Sequence, residues 1–129
     1  MRYKNLITTY VVVLLGFGFP LILFPAPFIV VFGADLANPG EVMSRFYGAS
    51  MLGVALMMWR ARNSPPSDTL EGLLHGNLVI WGLSLFIAIL GQFQHTFNRL
   101  GLVVAGLSVF FSGWYFVLRM ADRKDSVLQ

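Results

Sequence analysis

Between Lys4 and Asp35 the chain carries no Asp, Glu, Lys or Arg, and the same holds from Glu71 to Arg99 and from Arg99 to Arg119. Runs of this kind leave little choice of fold. About 20 apolar residues, each adding ~1.5 Å to a helix, cross a ~30 Å hydrocarbon core. The sequence therefore reads as an integral membrane protein. Composition agrees, with 57% hydrophobic and 12% charged residues, where soluble domains carry about 25% charged. A length of 129 residues is near one domain unit, so 1–129 is read as a single membrane domain. The net charge of +3 comes from loops and tails, so no nucleic-acid partner is expected. The chain has no cysteine. That excludes disulfides, thiolate metal sites and cysteine nucleophiles, and leaves the redox compartment open.

The pattern predicts an all-α, polytopic chain with spans at about 6–27, 42–59, 70–90 and 100–118. Gly16, Gly18 and Pro20 weaken the first span near its middle, since Pro20 lacks a backbone donor and crowds the preceding turn. Pro25 and Pro27 are expected to end it. PFIVVFGA then reads as a short interfacial or re-entrant piece, packed against protein so that its backbone is not open to lipid. The linkers GADLANPGE and RNSPPSDT carry Asn-Pro-Gly and Pro-Pro breakers. Short connections favour antiparallel neighbours, so the expected architecture is an up-down four-transmembrane-helix bundle.

An even number of spans puts both termini on one side. That side collects Arg2, Lys4, Arg60, Arg62, Arg119, Arg123 and Lys124, against Arg45 and Arg99 with Asp35 and Glu41 on the other. The positive-inside rule then places both termini in the cytoplasm. A cleaved signal peptide competes for residues 1–27, but the apolar stretch is long and no small-x-small site follows it.

Arg45 stands inside the second apolar segment. About fourteen residues separate it from Arg60, or ~21 Å of helix, which is short of the ~30 Å core. The simpler reading is an interfacial anchor, with Glu41 four residues earlier as its partner. A sharper reading turns Arg45 inward, to bond carbonyls or side chains of neighbouring helices or to hold an anionic head group. Gln92, Gln94, His95, Asn98 and Arg99 belong to the same end, and with Asp35 and Glu41 they make a polar cluster there. The candidate ligand-binding residues are Arg45, Glu41, Asn77, Gln92 and His95.

Small residues recur at helix-packing spacing. Gly72 and Gly76 form a GxxxG, Ala49 and Gly53 a looser version, and Gly101, Ala105, Ser108 and Ser112 a stripe. Such faces let membrane helices approach closely, within one chain or onto another subunit. His75 follows Asp68 and Glu71 on one face. The trio could hold a cation or relay a proton, but the simpler account is a capping box formed by the two carboxylates. Asn77, Trp81, Ser84 and Ala88 continue a weakly polar stripe that serves helix packing or touches a substrate.

No carboxylate falls in a span interior, and there is no phosphate loop, GxSxG, HExxH or CxxC. No catalytic residue, metal site or cofactor is assigned. An enzyme is left unsupported. The topology, with a second span opening on Arg45-Phe46-Tyr47-Gly48-Ala49, resembles small bacterial four-helix membrane proteins of the broad DoxX-like type. The resemblance implies a bacterial inner-membrane location. It also fits an accessory role beside redox enzymes, and it transfers no functional residue. The expected partners are the lipid bilayer and either a membrane-protein partner or a second copy. The leading expectation is an accessory or assembly subunit, or a homo-oligomer. The alternative is a bundle that binds or moves a small apolar or anionic molecule such as a lipid or quinone.

Overall fold

Leu6, Ile7, Tyr10, Val11, Leu14, Gly18 and Leu21 recur at helical spacing, and all are buried on one side of the first helix, α1 (Tyr3–Leu23). The computed structural model describes residues 3–35, 38–65, 67–96 and 98–127, without the side chains of 38, 39 and 122–127. Arg2 and the side chains of Arg123 and Lys124, used above for orientation, lie outside the described residues. Among the described residues four more helices follow: α2 (Pro25–Val31), α3 (Asn38–Ala61), α4 (Asp68–Phe93) and α5 (Gly101–Val127).

The chain breaks at Phe24, so the expected first span of 6–27 divides. Pro20 does not end α1, because Phe24 N–H still donates to Pro20 O at 2.8 Å. Pro25 instead opens α2, where an N–H would be unpaired in any helix. The Asn-Pro-Gly expected as a turn is the first turn of α3, and the same rule accounts for Pro39 there. Ser67 caps α4, its Oγ accepting from Leu70 N–H at 3.3 Å. The capping box expected from Asp68 and Glu71 is therefore corrected by one position.

α1, α4 and the Gly101–Ala121 part of α5 are long and apolar enough to cross a membrane. α3, with 24 residues, has the length, but Glu41, Ser44, Arg45, Ser50 and Arg60 leave it short of that composition. The outer surface of α4 and α5 is apolar, with Leu83, Phe86, Ile87, Val109, Phe110 and Val117 exposed, which suits lipid.

α1 packs antiparallel on α3, and α4 antiparallel on α5. At the end holding Tyr3, Ala61 and Asp68, here the terminal end, Leu6, Ile7, Met58, Leu74 and Tyr115 form a closed core. Midway, Tyr10 stacks on Phe111 with centroids 4.2 Å apart. Trp81 lies 4.9 Å from Phe111 and 5.7 Å from Tyr10. These three rings join the two helix pairs.

α1 and α3 approach most closely at Gly18 and Gly48. A Cβ on Gly48 would lie 2.8 Å from Gly18 O, 2.9 Å from Ile22 Cγ1 and 3.0 Å from Leu21 Cβ. Only glycine permits that approach. Gly53, Gly72 and Gly76 have nothing within 4 Å of an added Cβ, and Ala49 is exposed, so these expected packing residues face away from the chain. On α5, Gly101 and Ser108 are buried, whereas Ala105 and Ser112 are half-buried.

Candidate functional site: an apolar cavity beneath a short helix

Beyond the three rings a cavity of about 420 Å³ lies between the α1–α3 and α4–α5 pairs. Val13, Leu14, Phe17 and Leu21 form its α1 wall; Met43, Ser44, Tyr47 and Met51 its α3 wall. α4 contributes Ile80, Trp81, Ser84, Ile87 and Ala88, and α5 Gly101, Val104 and Leu107. Trp81 lies at the floor, in the ring cluster, and Phe28, Ile29 and Phe32 of α2 bring the short helix to the opposite end. The lining is almost wholly apolar. The lining residues that carry a polar side-chain atom are Ser44, Tyr47, Trp81 and Ser84, and of these atoms Trp81 Nε1 is covered by protein.

α2 is held from two directions. Phe28 meets Phe17 edge-on with centroids 5.7 Å apart. At the other end of α2, Asn98 N–H donates to Phe32 O at 2.8 Å, and Asn98 Nδ2 to Val31 O at 2.9 Å. Asn98 Oδ1 accepts from Leu100 N–H at 2.8 Å, while its backbone O accepts from Gln92 Nε2 at 2.8 Å. Gly33 turns the chain at φ 89°, with Asn98 so close that an added Cβ would lie 2.9 Å from it. Asn98 thus ties the α4–α5 connection to the end of α2.

The opening is lateral. Among the lining residues, Met43 (67% exposed), Tyr47 (48%), Ile80 (37%) and Ile87 (60%) are the exposed ones on α3 and α4. α3 and α4 share little close backbone packing among the described residues. The exposed part of the lining thus lies along α3 and α4.

Arg45 does not pair with Glu41. Its Nη1 donates to Ile22 O at 2.9 Å, so the cation caps the end of α1 just before the break at Phe24. Its side chain is otherwise exposed, and Glu41 is half-buried. His95 is exposed in a left-handed conformation, φ 54°. The expected polar cluster thus divides into an α1 cap at Arg45 and an α2 tie at Asn98 and Gln92.

Asn77 is 2% exposed, and neither its Nδ2 nor its Oδ1 has a protein partner. Trp81 Nε1, one turn on, is equally buried and unpaired. Leaving such atoms unbonded costs about 1–3 kcal/mol each. Of the weakly polar stripe, Trp81, Ser84 and Ala88 line the cavity and Asn77 lies behind the floor.

A second polar group lies at the terminal end. Arg119 donates to both carboxylate oxygens of Glu71, at 2.6 and 3.0 Å. His75 Nε2 and Tyr115 Oη are 3.0 Å apart. The face expected to join Asp68, Glu71 and His75 is instead used to fasten α4 to α5. Sequence reading missed Tyr115 and Arg119 because the pairing joins residues 40 and 48 positions apart.

An all-α protein with three helices fit to cross a bilayer, and an apolar chamber among them, is the class these features define. No family model, curated protein or solved structure compared with the chain matches it.

Proposed function

We propose that this chain is a multi-pass membrane protein that holds a small, elongated apolar molecule in the cavity, taken up sideways from the bilayer. The carrying observation is the cavity of about 420 Å³, whose exposed lining residues lie on α3 and α4. That volume falls in the ordinary range of ligand pockets, about 300–1,000 Å³. From Val13 to Leu21 the α1 wall is ~12 Å long, enough for a chain of roughly ten carbons. The binding alternative is thereby preferred to the accessory-subunit reading.

In this proposal α3 is a fourth crossing, since it runs antiparallel along α1 through the Gly18–Gly48 approach. Both termini lie in the cytoplasm and the cavity in the outer half of a bacterial inner membrane, by the distribution of Lys and Arg. Association keeps one supporting observation: Gly72 and Gly76 present an open small-residue face away from the chain.

Native mass spectrometry after mild extraction tests the reading. The expected spectrum shows the chain carrying a defined lipophile, and Ala88→Phe, which fills the cavity wall, strips that mass. A bare chain in both proteins, with no uptake of added lipophile, overturns the binding reading. A stoichiometric protein companion with an empty cavity favours the subunit instead.

A further inference from the structure

An apolar chamber with unpaired hydrogen-bonding groups buried directly behind its floor is a chemical mismatch. Trp81 is 6% exposed, lines the cavity, and has a buried Nε1–H with no acceptor. Asn77 is 2% exposed and sits one helical turn behind it, with Nδ2 and Oδ1 also unpaired. Residues four apart on a helix are neighbours, about 5–6 Å between Cβ atoms. The same small region therefore concentrates three buried polar atoms without partners. Nearly all buried polar atoms in proteins are bonded, to protein, water or ligand.

Resting on the cavity reading above, we infer that the occupant is an oxygen-bearing lipophile. It enters with a carbonyl, ester or similar acceptor oxygen leading and pairs that oxygen with Trp81 Nε1–H at the cavity floor. A plain hydrocarbon would fill the walls and leave the floor unsatisfied. A charged head group is excluded from this end, since Leu14, Leu107 and the aromatic rings around Trp81 offer it no counter-charge. Nε1 is covered by protein in this structure, so pairing includes a turn of the indole toward the space its ring already borders. The tail then lies along α1 and α4 toward Ser84, Ala88 and the lateral mouth. Asn77 supplies the second donor behind the indole and keeps the floor polar while the indole turns.

The test compares two probes of equal length that differ in one oxygen, tridecane and 2-tridecanone. Their partition between nanodiscs with and without the protein is measured by mass spectrometry. The wild type is expected to take up both, with the ketone favoured by about tenfold, as one buried hydrogen bond warrants. Trp81→Phe keeps a ring at the floor but removes the N–H, so it should retain tridecane and lose the preference. Asn77→Leu should reduce the preference in part. Equal uptake of both probes by the wild type overturns the inference and leaves the cavity reading intact. A preference that survives in Trp81→Phe also overturns it. Uptake of neither probe refutes the cavity reading itself. The wild-type ratio needs no variant to fold, and the ratio within a variant is insensitive to partial unfolding.

Discussion

Replacing Gly48 by alanine adds one methyl group where the structure has no room for it. The new carbon would sit 2.8 Å from Gly18 O, 2.9 Å from Ile22 Cγ1 and 3.0 Å from Leu21 Cβ. Ordinary C···O contacts lie at about 3.3–3.6 Å, so α1 and α3 must part by about 0.5 Å. The nearest obstacle is a backbone oxygen, which cannot rotate aside. Overpacking of this kind costs about 1–3 kcal/mol. Better helix propensity returns up to about 1 kcal/mol. The expected net loss is about 1–2 kcal/mol, larger for Gly48→Leu. Gly76→Ala is the matched control, because nothing lies within 4 Å of its added carbon. It should be neutral or gain up to about 1 kcal/mol. Equilibrium unfolding in mixed micelles by SDS titration, followed by tryptophan fluorescence, measures both. A Gly48→Ala protein as stable as wild type, beside a destabilised Gly76→Ala, would refute the assignment of the close approach to Gly18 and Gly48.

Removing the Asn77 amide in the ligand-free protein by Asn77→Leu should raise stability by about 1–3 kcal/mol, because two unpaired buried atoms disappear; a clear loss in the same titration would reveal a partner for the amide. Asn98→Ala should speed backbone hydrogen exchange in Phe28–Gly33 and Leu100–Leu102 while leaving the terminal core protected; uniform exchange across the chain would count against a local tie. A double-mutant cycle of His75→Phe with Tyr115→Phe should give a coupling of about 0.5–1.5 kcal/mol, the value of one net hydrogen bond, and a coupling near zero would show that the pair contributes nothing. Arg45→Gln should leave membrane insertion unchanged and loosen hydrogen exchange around Ile22 and Phe24; failure to insert would restore the anchor reading.

Periodicity and the spacing of charges were enough to place α1, α4 and α5, because those signals are local and long. Prolines marked the break before α2, although the position shifted, since proline suits a helix start as well as an end. The second segment was harder. Its polar residues serve the neighbouring helix, as Arg45 does at Ile22, and hydropathy cannot distinguish that from a loop boundary. The small-residue motif at Gly72 and Gly76 faces away from this chain, for spacing tells which glycines share a face and not what the face meets. Gly48 stood inside the quoted Arg-Phe-Tyr-Gly-Ala stretch but pairs with Gly18, thirty positions earlier. The polar stripe of Trp81, Ser84 and Ala88 was visible as a substrate-facing option. The cavity beside it was not, because an absence of packing among several helices leaves no mark in any one of them.

The Gly18–Gly48 approach also has a mechanical consequence. It binds α1 and α3 backbone to backbone within the cavity half, while α3 and α4 have no such fastening. One side of the chamber is thus a closely packed double wall and the opposite side a loosely packed seam. In the binding role proposed above, a bulkier occupant would find room at that seam rather than between α1 and α3. Substitutions at Gly48 are then expected to change stability, and substitutions at Ile80 and Ile87 to change the size of molecule taken up.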